Sequence, residues 1–169
     1  MHTKEQTLNR LAEFAAFAEN LPEEKLDMGT WTPSNTEDEA LPKDCGTAMC
    51  VLGWCATLKK FGFEFKIGQT WPTMKGVRSS DPYRAATFNI FGFTEEDFDN
   101  DYDVYLTAYR ITHSIFAPIA QSDYDATDEI DALIVTDSEW DATSDDEKKV
   151  FALRVEFAKM QIEKLYERI

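Results

Sequence analysis

Basic residues are scarce in this 169-residue chain: 17 Lys and Arg stand against 32 Asp and Glu, a net charge of −15 with both His neutral. That imbalance excludes a protein that grips nucleic acid or an anionic membrane with its whole surface, because phosphate is repelled at range. Histidine is nearly absent, with only His2 and His113, a poor basis for a Cys/His zinc site. Cysteine is limited to Cys45, Cys50 and Cys55, an odd, clustered set unlike the even, spread framework of a small secreted domain. The longest apolar-rich run, 48–58 (AMCVLGWCATL), falls short of the roughly 20 residues that span a bilayer. The opening MHTKEQTLNR lacks the apolar core of a signal peptide. These absences predict a cytoplasmic chain with reduced thiols and no membrane partner. There is also no Gly-rich phosphate loop, no H-E-x-x-H and no G-x-S-x-G, so no cofactor is expected.

What is present is enough apolar material for a core: 43% hydrophobic and 13% aromatic residues, which excludes a disordered chain. With no internal repeat and no flexible linker, residues 1–169 read as one compact, mainly α domain, carrying one short strand or hairpin near 63–67 (FEFKI). Thr3 with Gln6 forms a capping box that opens a first helix, and Pro22 stops it. Residues 22–44 read as loop. A second helix is expected near 46–60, capped by Asp44 and closed by Gly62. Ser80 or Asp81, followed by Pro82, opens a third helix that Gly92 ends. Thr94 starts a short acidic helical turn. A further helix is expected from about Asp103 to Ala117, and a short one around Asp128 to Val135. The last helix opens with the capping box Ser144 and Glu147. Phe151, Val155, Ala158, Ile162, Leu165 and Ile169 then step by four and three, with Val150, Leu153, Phe157 and Met160 alongside. That wide face serves either core packing or a homodimer seam.

The charge is unevenly placed. Residues 1–94 carry a net −2, residues 148–169 a net +3, and residues 95–147 hold 17 acids against one base, Arg110, a net −16. Such density destabilises the compact state through self-repulsion. It either keeps the protein dispersed or forms an acidic surface for a basic partner. The interleaved aromatics Phe98, Tyr102, Tyr105, Tyr109, Tyr124 and Trp140 favour a built face over a floppy tail. The candidate partner-binding residues are Glu95, Glu96, Asp97, Asp99, Asp101, Asp103, Asp123, Asp125, Asp128, Glu129 and Asp131.

The alternate acids of DFDNDYD (97–103) resemble the start of a calcium loop, but Tyr102 and Ala108 stand where the turn Gly and bidentate Glu belong. Counting from Asp99 gives Val104 and Arg110 instead, and a loop read from SDYDATDE (122–129) has Ile134 at position 12, so no metal site is assigned. Within a helix, Cys50 and Cys55 would face apart, about 7.5 Å along the axis, too far for a disulfide. They read as buried and inert. Gly46, Cys50, Gly53 and Thr57 form a stripe of small residues, with Leu52 and Trp54 adding bulk, as in a central buried helix. Cys45 at a helix start, with His113 as base, is the one nucleophile arrangement available, and the adjacent Asp44 opposes it.

LPEEKLDMGTW (21–31), DCGTAMCVLGWCA (44–56) and AATFNIFGFTEEDF (85–98) together resemble a family of small uncharacterised bacterial and bacteriophage proteins. Its pattern is roughly F-D-M-x-x-W, then C-G-T-x-x-C-x-x-G-W-A, then an alanine pair before F-G-L-T. Leu26 replaces its Phe and Phe93 its Leu. The resemblance implies a phage or prokaryotic setting and supplies no catalytic residue. Two functions follow as expectations. One is a small acidic binding protein that mimics nucleic acid and inhibits a host nucleic-acid-binding enzyme or defence system through a basic protein partner, without touching nucleic acid itself. The other is a Cys- or metal-dependent enzyme using Cys45 with His113 or the clustered Asp residues.

Overall fold

The computed structural model describes residues 1–28, 49–66, 71–78, 81–117 and 144–169. Among them are six α-helices and one small antiparallel hairpin: α1 (Lys4–Glu19), α2 (Val51–Thr57), β1 (Phe63–Glu64), β2 (Thr73–Met74), α3 (Pro82–Phe91), α4 (Glu95–Asn100), α5 (Tyr102–Phe116) and α6 (Ser144–Tyr166). The protein is therefore mainly helical, as its periodicity predicts. No helix among the described residues is long and apolar enough to cross a membrane.

Local chemistry accounts for several boundaries. The Thr3 side chain accepts from the Gln6 backbone while Gln6 reaches back, completing the capping box of α1. Asp81 caps α3 by accepting from the Tyr83 N–H, with Pro82 in the first turn. Gly92 closes α3 in the left-handed region at φ +65°, and a Cβ there would meet the His2 ring at 2.2 Å. Thr94 and Asp97 form the capping box of α4. α6 includes Ser144 as its first residue, and the Glu147 carboxylate accepts from the Met28 N–H at 2.8 Å, fastening the chain after α1 to the start of α6. Lys148 also donates to the carbonyls of Glu19, the last residue of α1, and of Leu21 just beyond it, a cation where the helix dipole favours one.

α6 packs against α5 and α1, α3 against α5 and α1, and α2 against β1. The core between them includes Leu11, Phe14, Leu52, Phe63, Ile90, Phe91, Ile115, Phe116, Val150 and Ile162, all at most 1% exposed. Phe14 sits at its aromatic centre, with ring centroids 4.3 Å from Phe61, 6.1 Å from Phe63 and 5.5 Å from Phe116. On α6, Phe151, Val155, Ala158, Ile162 and Leu165 are buried as expected, whereas Ile169, expected on the same stripe, lies beyond the end of the helix and is 57% exposed. The neighbouring stripe surfaces along the helix, from buried Val150 to Met160 at 46% exposure. Of the two uses read for this face, core packing is the one that its contacts with α5 and α1 show.

The second helix is shorter than its sequence suggests. Met49 is extended, not helical: it bridges Leu26 in parallel, its N–H donating to the Lys25 carbonyl at 3.0 Å and its carbonyl accepting from Asp27 at 3.1 Å. A residue whose backbone groups are used this way cannot also enter a helix. Cys50 becomes the N-cap, its Sγ accepting from the Gly53 N–H at 3.3 Å. The Trp54 indole, half-buried, donates to the Lys25 carbonyl at 2.6 Å, so the segments around Leu26 and Trp54 form one unit. The helix closes on Lys59 at φ +51° rather than at Gly62. Lys60 donates to the Cys55 carbonyl and Lys59 to that of Ala56, the paired bonds of a Schellman turn. Of the strand or hairpin expected near 63–67, the structure forms the hairpin, β1 pairing with β2, although β1 covers only two residues of FEFKI. The expected cap at Asp44 and helix near Asp128 to Val135 lie outside the described residues.

Candidate functional site

The acidic stretch begins on α4 and the corner where it turns into α5. Acids in the first turn of α4 (Glu95, Glu96, Asp97) and of α5 (Asp103) face the positive ends of the helix dipoles, which offsets part of their mutual repulsion. Their uses differ. Glu95 is paired with Arg84 at 2.7 Å and also accepts from the Arg78 backbone at 2.8 Å. Asp97 accepts from the Thr94 N–H at 2.8 Å and from its hydroxyl at 3.0 Å, and lies 3.4 Å from the Met1 amine. The backbone bond to Thr94, aided by the Thr94 hydroxyl and the amine, holds the Asp97 carboxyl below the usual aspartate range. Glu95 and Asp97, both expected to meet a partner, therefore have internal work.

Glu96, Asp99, Asp101 and Asp103 are different. All four are exposed, and none joins an ion pair among the described residues. Asp101 ends α4 and starts α5 without a side-chain capping bond. Tyr102, between Asp101 and Asp103, is 54% exposed. Asp123, Asp125, Asp128, Glu129 and Asp131 lie outside the described residues.

The corner is held by an arrangement not anticipated from sequence. The Arg84 guanidinium from α3 lies 4.1 Å from the Phe98 ring centre, 5.2 Å from that of Phe88 and 5.9 Å from that of Tyr105, while pairing with Glu95. Phe98 meets Tyr105 edge-on at 4.7 Å and Tyr102 at 5.6 Å. One cation thus ties α4 to α3 and α5 through ring faces and a carboxylate together. Further along α5, Tyr109 donates to Asp81 at 2.8 Å, joining the middle of α5 to the cap of α3. Burial and the Asp81 carboxylate push the Tyr109 hydroxyl far above its ordinary pKa, and burial lifts Tyr83 and Tyr105 to about 12.

The groups of the enzyme reading are not brought together among the described residues. His113 is exposed, its ring 4.5 Å from Tyr83 and 6.2 Å from Tyr109. Cys45 lies outside the described residues. Burial pushes the Cys50 thiol up to about 12 and Cys55 higher still, so both are protonated at neutral pH and poor nucleophiles. Among the described residues no group of three or more His, Cys, Asp or Glu is placed to hold a metal ion. No family model, curated protein or solved structure matches the chain.

Proposed function

We propose that this is a binding protein that meets a basic protein surface through the acidic corner where α4 turns into α5. The observation that carries the reading is the set of exposed carboxylates Glu96, Asp99, Asp101 and Asp103, close in sequence to exposed Tyr102, on a corner pinned by Arg84. An aromatic ring among charges, on a backbone already ordered, is the composition of an interface anchor that needs little further ordering. Exposed carboxylates concentrated at one corner offer a basic groove the kind of ligand a nucleic-acid backbone offers it, anionic oxygens. The partner class is thus a nucleic-acid-binding protein, and occupying its groove inhibits it. In the prokaryotic or phage setting that the sequence resemblance implies, that partner is a host nucleic-acid enzyme or defence protein.

The test is affinity capture from prokaryotic lysate with the native chain and with a variant carrying Glu96→Gln, Asp99→Asn, Asp101→Asn and Asp103→Asn. Asp97 is left intact because it caps α4. The native chain should capture a basic protein at low salt, lose it as salt rises, and lose it to competing duplex DNA; the variant should capture little. A partner retained regardless of salt, DNA and the four substitutions would overturn the proposal.

A further inference from the structure

Adjoining the acidic corner at Asp103, a groove of opposite character runs along α5. Arg154, midway along α6, donates to the Ala117 carbonyl that caps the end of α5, and the Phe116 and Phe151 rings meet there, while Leu165, near the end of α6, shares a groove with Val104 near the start of α5. The two helices therefore run antiparallel. Between them is an open groove of about 460 Å³. Val104, Ile111 and Leu165 form its floor, and Arg110, Lys164 and Arg168 stand exposed along its rims. Asp103 is the one acidic side chain in the lining. Arg110 is the sole base between residues 95 and 147, and none of the three cations joins an ion pair among the described residues.

We propose that this groove receives an amphipathic helix of a partner protein, its apolar anchors at i, i+3, i+4 and i+7 seated on the floor and its flanks carrying Asp or Glu. Length, openness and charge point to that occupant. The α5 side of the groove, from Asp103 to Ser114, is about 16 Å long at 1.5 Å per residue, roughly three helical turns. A ligand pocket encloses most of a small molecule, whereas the rims here are open to solvent, as when a helix lies in a groove. The three exposed cations along the groove are complementary to carboxylates on the flanks of a docked helix. The net charge of −15 opposes an acidic partner at range, but screening confines that opposition to about 8 Å at physiological salt. The rim charges therefore act at contact, on the lifetime of the complex more than on its encounter.

The probe is a synthetic peptide of about four helical turns with Leu at the anchor spacing and Glu on the flanks, beside a control with Gln on the flanks. Both are titrated into the full chain at about 0.15 M salt, with binding followed by calorimetry and by the amide resonances of Ile111 and Leu165. The Glu-flanked peptide should shift those resonances. The variant Arg110→Glu, Lys164→Glu, Arg168→Glu, all surface changes checked by circular dichroism, should weaken it about tenfold or more while leaving the Gln-flanked control little changed. Three results would overturn the proposal: no shift at Ile111 and Leu165; equal effects of the charge reversal on both peptides; or a site that binds laurate, a small anionic amphiphile, and not the peptide.

Discussion

At the scale of single residues, two backbone and two carboxyl positions deviate from the ordinary. Lys59 and Phe61 hold left-handed φ values of +51° and +54°, a region that costs an L side chain about 1–2 kcal/mol. Phe61 is retained there by its ring contacts, tilted against Phe14 and edge-on to Phe17, and by Asn89 donating to its carbonyl at 2.7 Å. Lys59 is exposed and has no comparable contacts among the described residues, so Lys59→Gly relieves strain and loses little. Urea denaturation should show a gain of about 0.5–1 kcal/mol, after the extra freedom of glycine in the unfolded chain is discounted; a loss would mean that the Lys59 side chain holds something in place. The two carboxyls respond to pH in opposite senses. Asp97 is depressed, so its contribution is present above the ordinary aspartate range and is lost as pH falls through its folded pKa. Glu147 is raised, chiefly by burial and further by Asp27, against the bond from Met28. The folded state holds that proton more tightly than the unfolded chain, so stability from this group falls as pH rises from the ordinary glutamate range through the raised value. Glu147→Gln keeps an acceptor for the Met28 N–H and removes the charge. Thermal melts should show the variant gaining on the native chain as pH rises toward neutrality and matching it below the glutamate range; a gap independent of pH would rule out ionisation as the cause.

At the scale of elements, sequence and structure agree where the determinants are local. Thr3 with Gln6, Asp81 before Pro82, Gly92 and Thr94 mark helix ends because each cap is completed within a few residues. The fold was not legible where the partner is remote. Nothing near Met49 indicates that Leu26 will claim its backbone, and a two-residue strand such as β2 has too little alternation to register. The acidic corner shows both cases. The spacing of Thr94 and Asp97 was a readable sign that Asp97 belongs to a cap, whereas Glu95 could be assigned to Arg84 only once α3 and α4 were seen together. That contact also predicts how α4 is held. Arg84→Lys keeps the charge and loses the planar surface lying over Phe98, so it should destabilise the protein by about 1 kcal/mol. Hydrogen exchange should speed up in α4 before it does in α3 or α5, since α4 has no buried residue of its own. Unchanged exchange in α4 would mean that the capping box alone holds the helix.

At the scale of the whole molecule, the charge layout should decide how the protein responds to salt. Residues 95–147 carry −16 and the remainder +1, so repulsion is concentrated in one stretch. The favourable pairs that salt would weaken are few among the described residues. Arg10–Glu13 and Lys159–Glu156 are exposed pairs three residues apart on their helices, a kind worth roughly 0–1 kcal/mol. Arg84–Glu95 is sheltered, with side chains 18% and 34% exposed, and is screened less. The eight steps from Glu95 to Asp103 would rise about 12 Å as a continuous helix at 1.5 Å per residue, well within a range of about 30 Å. At about 0.01 M salt the screening length is about 30 Å, so all of those carboxylates repel one another, whereas at about 0.15 M it is about 8 Å and only neighbours do. Sodium chloride should therefore raise the melting temperature, by roughly 2–4 °C for each kcal/mol of repulsion removed; chloride is used because sulfate would stabilise by exclusion from the surface in any case. The variant with Glu96→Gln, Asp99→Asn, Asp101→Asn and Asp103→Asn should start from a higher melting temperature at low salt and rise less. A native chain that melts earlier as chloride is added, or a variant with the same salt slope, would show that the acidic corner is not where the repulsion acts.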